Sequence, residues 1–301
     1  MAISAGTKGF RPTEAQARAI ERTDVPMAVD AAAGSGKTKV LTERILKIVG
    51  SDWARLGEIL AITFTEKAAG EFRAKLRPHV PASERFRLDS AWIGTFHSFC
   101  ARLIRRFGPA IGLDPSFRML DENAAGMEAR KCVRETLLKL LEDGDDDAAG
   151  LVEEVGYATA AGCLEELMQF RWHAGQALAS REGASEGEAE LLGRLTKVFE
   201  RVRENYLARL AEQGALDFQE LEIRALALLE NRHVASSARG IFSHILVDEY
   251  QDTNDIQTEL VLRLFDPARS RLFIVGDEAQ SIYRFRGANV SCFARVILTG
   301  T

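Results

Sequence analysis

Five short apolar runs, each continuous rather than alternating, set the tightest limit on the fold. They are "PMAVDA" (26–31), "EILAITF" (58–64), "SAWIGTF" (90–96), "FSHILVD" (242–248) and "RLFIVG" (271–276). A strand with one wet face alternates apolar and polar residues. A run that is apolar throughout needs cover on both faces, as in a parallel sheet flanked by helices. A helical pattern follows each run. The middle, 112–214, carries no comparable run and reads as helices: "GMEARKCVRETLLKLL", "CLEELMQFRWHAGQAL" and "AELLGRLTKVFERVRENYLARLAEQ". Polar breaks such as "SREGASEGEAE" separate them. The expectation is an α/β fold, a parallel β-sheet interrupted by an inserted helical subdomain. With 301 residues, 46% of them hydrophobic, the chain can bury a large core and the inserted block as well.

The formal net charge of −5 gives no sign of a polyanionic partner; its distribution is more useful, although a local excess is usually just an exposed helix face. Residues 61–110 hold nine Lys/Arg against four Asp/Glu, a local excess that suits nucleic acid where stacking groups lie alongside. The stretch 141–154 has seven acids and no base, and is expected to be solvated and self-repelling. Cys100, Cys132, Cys163 and Cys292 form no CxxC pair, which points to reduced thiols without a structural metal. The start "MAISAGTKGFRPTEAQ" lacks an apolar leader core, and no run approaches the ~18 residues of a membrane helix. A cytoplasmic protein with no membrane partner is expected.

"VDAAAGSGKTKVL" sets a strand, a small-residue loop and a helix in succession, with Val40, Leu41, Ile45, Leu46 and Val49 on the helix's apolar side. Gly34 and Gly36 permit backbone conformations that let successive N–H groups face phosphate oxygens, and the helix N-terminus adds partial positive charge. Lys37 would reach the β- and γ-phosphates, and the Thr38 hydroxyl would ligate Mg²⁺. Ala31 stands where the usual pattern has its first glycine. In "HILVDEYQDTN" an apolar strand delivers Asp248 and Glu249 to its C-terminal end, where ligands of open α/β sheets collect. Asp248 suits Mg²⁺, through water, and Glu249 suits the general base that takes a proton from attacking water.

"AAGSGKT", "TFTEKAAGEF", "TFHSF", "DEYQDTN" and "GDEAQSIYRFRGA" follow one another in the order found in UvrD/Rep-type superfamily 1 DNA helicases, which the chain resembles over nearly its whole length. Between 112 and 214 the likeness rests on helical character and "GLDPSFRMLDE". The resemblance implies a RecA-like P-loop NTPase domain (1A), residues 1–111 and 215–301, with a helical insertion (1B), 112–214. It implies an ATP site formed by Gln16, Ala32, Ala33, Gly34, Ser35, Gly36, Lys37, Thr38 and Lys39. Gln16 would read the adenine edge, although Thr13-x-x-Gln16 is also a capping box. Lys39 stands where family members often carry arginine. The resemblance places Thr63, Phe64, Thr65, Thr95, Phe96, His97 and Ser98 against single-stranded DNA, with Lys67, Arg73, Lys75 and Arg77 supplying positive field. For Phe99 and Leu103 core packing is the better reading. Gln280 resembles the γ-phosphate sensor, Arg286 a partner of the nucleotide pocket, and Tyr283 and Phe285 the rings on which bases stack.

These helicases need a second RecA-like domain, and only fourteen residues follow Gly287. The partner half is expected in cis, in a longer protein, or in trans. The implied activity is ATP-driven translocation on and unwinding of DNA, 3′→5′, with little turnover by the 301 residues alone. Two alternatives stand beside it: the motor subunit of an AddA/RecB-type helicase–nuclease, and an ATP-binding interaction module without a DNA role.

Overall fold

The computed structural model describes residues 11–32, 34–50, 52–179 and 185–277. It divides into two compact units, Met1–Pro115 with Arg224–Thr301, and Ser116–Ile223. Along the chain come α1 (Glu14–Glu21), β1 (Met27–Asp30), α2 (Lys37–Val49), β2 (Ile59–Ile62), α3 (Glu66–Leu76), α4 (Arg85–Asp89), β3 (Trp92–Gly94) and α5 (Phe96–Phe107). Then follow β4 (Arg118–Met119), α6 (Glu122–Glu142), α7 (Asp146–Val155), α8 (Tyr157–Gln169), α9 (Arg171–Ala179), α10 (Glu186–Glu212) and β5 (Ala215–Leu216). The chain continues through α11 (Phe218–Leu228), α12 (Arg232–Arg239), β6 (His244–Val247), α13 (Asp255–Leu264) and β7 (Arg271–Gly276).

In the first unit the five apolar runs become one wholly parallel sheet in the order β1-β7-β6-β2-β3. Every residue of β2, β3 and β6 is buried, as continuous apolarity requires. Parallel pairing puts the C-terminal ends of all strands on one edge, so Asp30, Thr63, Thr95, Asp248 and Asp277 emerge together. Helix α2 is buried nearly all round, because α1 packs on it as well as the sheet; Thr42, Glu43, Arg44 and Ile48 are buried beside the expected apolar side. Phe99 and Leu103 are core residues, and Trp92, Phe99 and Phe242 pack ring to ring. Among the described residues β3 is one of the two outer strands, and arginines cap its open edge. Arg102 donates to Ser90 O and Ala91 O at 2.8 and 2.9 Å, and Arg73 donates to Ile93 O. Such capping removes the carbonyls to which another strand would add.

The second unit is helical, with a core of Val133, Leu137, Leu164, Val198, Phe199 and Val202. It departs from expectation in three ways. A short parallel pair is present, with Arg118 opposite Ala215 and Met119 opposite Leu216, so the two ends of the helical block lie side by side. The acidic stretch, expected to be solvated and self-repelling, does keep most of its acids exposed, but it is not held apart: most of it folds as α7. Asp145 caps it, Asp146 and Asp147 sit in the first turn, where the helix dipole favours acids, and Lys197 pairs with Asp147 at 3.0 Å. Finally, "CLEELMQFRWHAGQAL" is broken at Phe170. The Gln219 side chain bridges the break, donating to Gln169 O (3.0 Å) and accepting from Trp172 N–H (3.2 Å), which satisfies backbone groups the interruption releases.

His244, buried at the start of β6, is held neutral: burial first, then the charges of Arg44, Arg55 and Arg271, push it down to about 4. An unfolded chain takes this proton below pH ~6.5 and the folded one does not, so stability falls as pH drops from 6.5 towards 4. In His244→Leu, the loss of unfolding free energy between pH 7 and 4.5 is expected to be smaller than in the parent by roughly 1–3 kcal/mol, measured by urea titration.

Candidate nucleotide-binding site

The loop between β1 and α2 is shaped by its glycines. Gly34 and Gly36 have φ of 76° and 83°, a region that side chains rarely enter. Among the described residues, a Cβ on Gly34 would meet nothing within 4 Å. Gly36 caps α2 without a side-chain bond, leaving the first N–H groups of the helix without intrahelical acceptors. The loop is anchored below by Ala31 N–H donating to Gly276 O (2.8 Å) and to one side by Gln16 Nε2 donating to Ser35 O (2.8 Å). Gln16 also completes the capping box of α1, its Oε1 accepting from Thr13 N–H at 2.8 Å.

Lys37 Nζ donates to Glu249 Oε2 at 2.7 Å, across 212 residues of sequence. The Lys37 side chain is 9% exposed and that of Glu249 35%. Glu249 is the only non-glycine among the described residues with positive φ (50°), which ends β6 abruptly and turns its carboxylate back to the lysine. Backbone strain of this kind, on the order of 1–3 kcal/mol, concentrates at functional sites. Gln251, buried beneath, donates to Glu249 Oε2 and Asp252 Oδ2, both at 3.1 Å, and accepts from Asp277 N–H at 2.9 Å. Burial, followed by the charge of Glu249, pushes the Asp248 carboxyl up to about 6, and the same causes in the same order push Asp252 up to about 6.

These residues fit a Mg-nucleotide. Among the described residues the Ser35 hydroxyl is buried with no partner and nothing lies within 4 Å of a Cβ on Gly34, and Asp248 is an acid short of positive charge. Among the described residues no group of three or more His, Cys, Asp and Glu forms a metal cluster, so a cation here would share few protein ligands, as Mg²⁺ usually does.

At the neighbouring strand ends the hydroxyls are already employed. Thr65 and Thr95 cap α3 and α5, Thr95 Oγ1 donates to Glu66 Oε1 (2.8 Å), and Thr63 Oγ1 donates to Thr65 O (3.1 Å). Phe64 and His97 are half-buried. Phe96 is only 6% exposed, so the stacking face expected of it is a packing contact instead; position N1 of α5 turns its ring inward. Arg73, expected to supply positive field, also donates to Ile93 O.

Residues 12–297 match the UvrD/REP helicase N-terminal domain. The chain belongs to the UvrD/REP helicase family. One relative, named ATP-dependent DNA helicase UvrD1, from Mycobacterium tuberculosis (strain ATCC 25618 / H37Rv), is 34% identical over 290 residues, 94% of this chain and 34% of that one. ATP-dependent DNA helicase PcrA of Bacillus subtilis (strain 168) is 32% identical over 284 residues, again 94% and 34%. DNA helicase II of Haemophilus influenzae is 32% identical over 275 residues, 90% and 34%. The chain thus spans about a third of the length of these curated relatives.

Of the site residues expected from the sequence, Ala33, Gln280, Tyr283, Phe285 and Arg286 lie outside the described residues. The geometry adds Gln251 and Asp252, which sequence reasoning left without a role. Their signal is the placement of two polar side chains two and three residues after Glu249, just where the chain leaves the strand. Among the described residues no helix is long and apolar enough to cross a membrane.

Proposed function

We propose that the chain is the N-terminal motor half of an ATP-dependent DNA helicase, translocating 3′→5′, which binds Mg-ATP and single-stranded DNA. The first unit would be RecA-like domain 1A and the second its helical insertion 1B. A second RecA-like domain, in cis or in trans, would contribute transition-state arginines, a part worth roughly 10³–10⁵ in rate in GTPases. The observation that carries this reading is the Lys37–Glu249 contact, which joins the phosphate loop to the carboxylate after β6.

In this reading Lys37 exchanges Glu249 for the β- and γ-phosphates, and the released Glu249 accepts a proton from water. Gln251 keeps the Glu249 carboxylate oriented, and Gln16 meets the adenine edge, with Lys39 nearby. Thr38 and Asp248 would hold Mg²⁺, which when bound offsets charge on the phosphates. Gln280 would sense the terminal phosphate, and Arg286 would be a partner of the nucleotide pocket. Thr63, Phe64, Thr65, Thr95 and His97, with Tyr283 and Phe285, would line the DNA path. The rings of Phe64, Tyr283 and Phe285 would offer faces on which bases stack.

Lys37→Ala is expected to weaken Mg-ATP binding by about 10–100-fold, the loss of one charge-assisted hydrogen-bond set. Titration with a fluorescent ATP analogue measures it, and an unchanged affinity would remove Lys37 from the site. Binding of labelled oligo(dT) that falls steeply with salt separates the motor from an interaction module without a DNA role.

A further inference from the structure

Arg44 is the least expected side chain in the first unit. It is 1% exposed on α2, and its Nε and Nη2 have no hydrogen-bond partner among the described residues. A buried cation is costly unless something offsets it. Among the described residues two contacts do so here, together with the charge of Asp24. The Arg44 guanidinium carbon lies 4.2 Å from the centroid of the Phe273 ring, and its Nη1 donates to the carbonyl of Ala19. That carbonyl belongs to the last turn of α1, where helix carbonyls lack intrahelical donors and the dipole favours a cation.

Helix α1 has eight residues, too few to persist alone, and buries only Ala19 and Ile20. Three polar ties fasten it to the loop and to α2: Gln16 to Ser35 O at its first turn, Arg44 to Ala19 O at its last, and the exposed pair Lys47–Glu21. Of these only the Arg44 tie is fully buried, away from competing water. The guanidinium is needed, because one group must sit over the Phe273 ring and also donate to Ala19 O.

We propose that Arg44 is a positioning residue. It fixes the pose of α1, and through α1 the distance of the Gln16 amide from the phosphate loop, so that it governs recognition of the adenine base without touching the nucleotide. The inference rests on the Mg-ATP reading of the loop given above. An arginine kept only for stability is a poor alternative, since a well-packed apolar side chain avoids the burial penalty.

The test is calorimetric titration of the 301-residue chain, its Arg44→Met and Arg44→Lys variants, and Gln16→Ala, with Mg-ATP and with inorganic Mg-tripolyphosphate. Arg44→Met is expected to lose about 10-fold in ATP affinity while keeping tripolyphosphate affinity within about two-fold, with faster hydrogen exchange at the amides of α1. Arg44→Lys, able to reach Ala19 O but not to stack, is expected to fall between. Arg44→Met combined with Gln16→Ala should be no worse for ATP than Gln16→Ala alone, the mark of one shared route. Equal losses for ATP and tripolyphosphate would overturn the proposal in favour of a general structural role, as would no loss for either. A parent chain that binds neither ligand overturns the nucleotide reading first, and the inference with it.

Discussion

Glu249→Gln is expected to bind Mg-ATP several-fold more tightly than the parent while its hydrolysis falls by about 10²–10⁴-fold, the usual contribution of a positioned base. The opposite signs come from one contact. Lys37, nearly buried, gives its proton-bearing nitrogen to Glu249 at 2.7 Å, so phosphate oxygens must compete with a carboxylate for it. A glutamine keeps the shape, removes the competing charge and cannot take a proton from water. The same change leaves the Lys37 ammonium without its ion partner before nucleotide arrives, so the ligand-free protein should melt lower and gain more on adding Mg-ATP. Nucleotide titration, single-turnover hydrolysis and melting with and without Mg-ATP give three readings of one variant. Retained hydrolysis would remove Glu249 from the base position. Weaker binding would mean that the ion pair helps to shape the loop rather than to occupy it.

That contact also marks the limit of what was legible in the sequence. The sheet was plain from local chemistry: five runs apolar on both faces can only be covered strands, and four of them, "EILAITF", "SAWIGTF", "FSHILVD" and "RLFIVG", became β2, β3, β6 and β7. "PMAVDA" became β1, whose residues are nonetheless part-exposed, as an edge position allows. The loop glycines were equally readable, because positive φ has few other causes. What was hidden depends on pairings far apart in sequence. No local rule announces that Arg44 will cap α1, that Gln219 will bridge a break at Phe170, or that an acidic stretch will find Lys197 and fold as α7. Phe96 failed for a related reason: residue type fitted stacking, but the first turn of α5 aimed the ring into the core. Glu249 shows both sides at once. Its position after the strand was legible, and its left-handed backbone, which aims it, was not.

In the second unit the largest effect is expected from Asp217→Ala, a loss of about 3–5 kcal/mol of stability. Asp217 joins three elements. Its Oδ1 accepts from Arg171 Nη2 (2.5 Å) on α9 and from Glu220 N–H (2.8 Å) at the start of α11, while Oδ2 accepts from the Tyr206 hydroxyl (2.8 Å) on α10. Arg171 and Asp217 side chains are each 6% exposed, and Glu220 stands 3.8 Å from the same guanidinium. Burial alone would push Asp217 up, but the charge and hydrogen bond of Arg171, with the Glu220 N–H and Tyr206 donors, outweigh it and hold the carboxyl below its ordinary range. The stability this contributes is therefore present above the unfolded carboxyl's range and is lost as pH falls through the depressed folded value. Alanine leaves a buried guanidinium with a more distant acid, a buried phenol without an acceptor and a helix start without its cap. Replacing both charges with apolar groups, Arg171→Met with Asp217→Leu, removes the unpaired charge, and should recover most of the loss. Trp172 lies on α9 beside this network, so in a Trp53→Phe, Trp92→Phe background its fluorescence reports urea unfolding of this unit. A single variant that unfolds at the parent's urea midpoint would show that Glu220 alone carries Arg171. A double variant no better than the single would show that the network's hydrogen bonds, rather than its charge balance, hold α9, α10 and α11 in register.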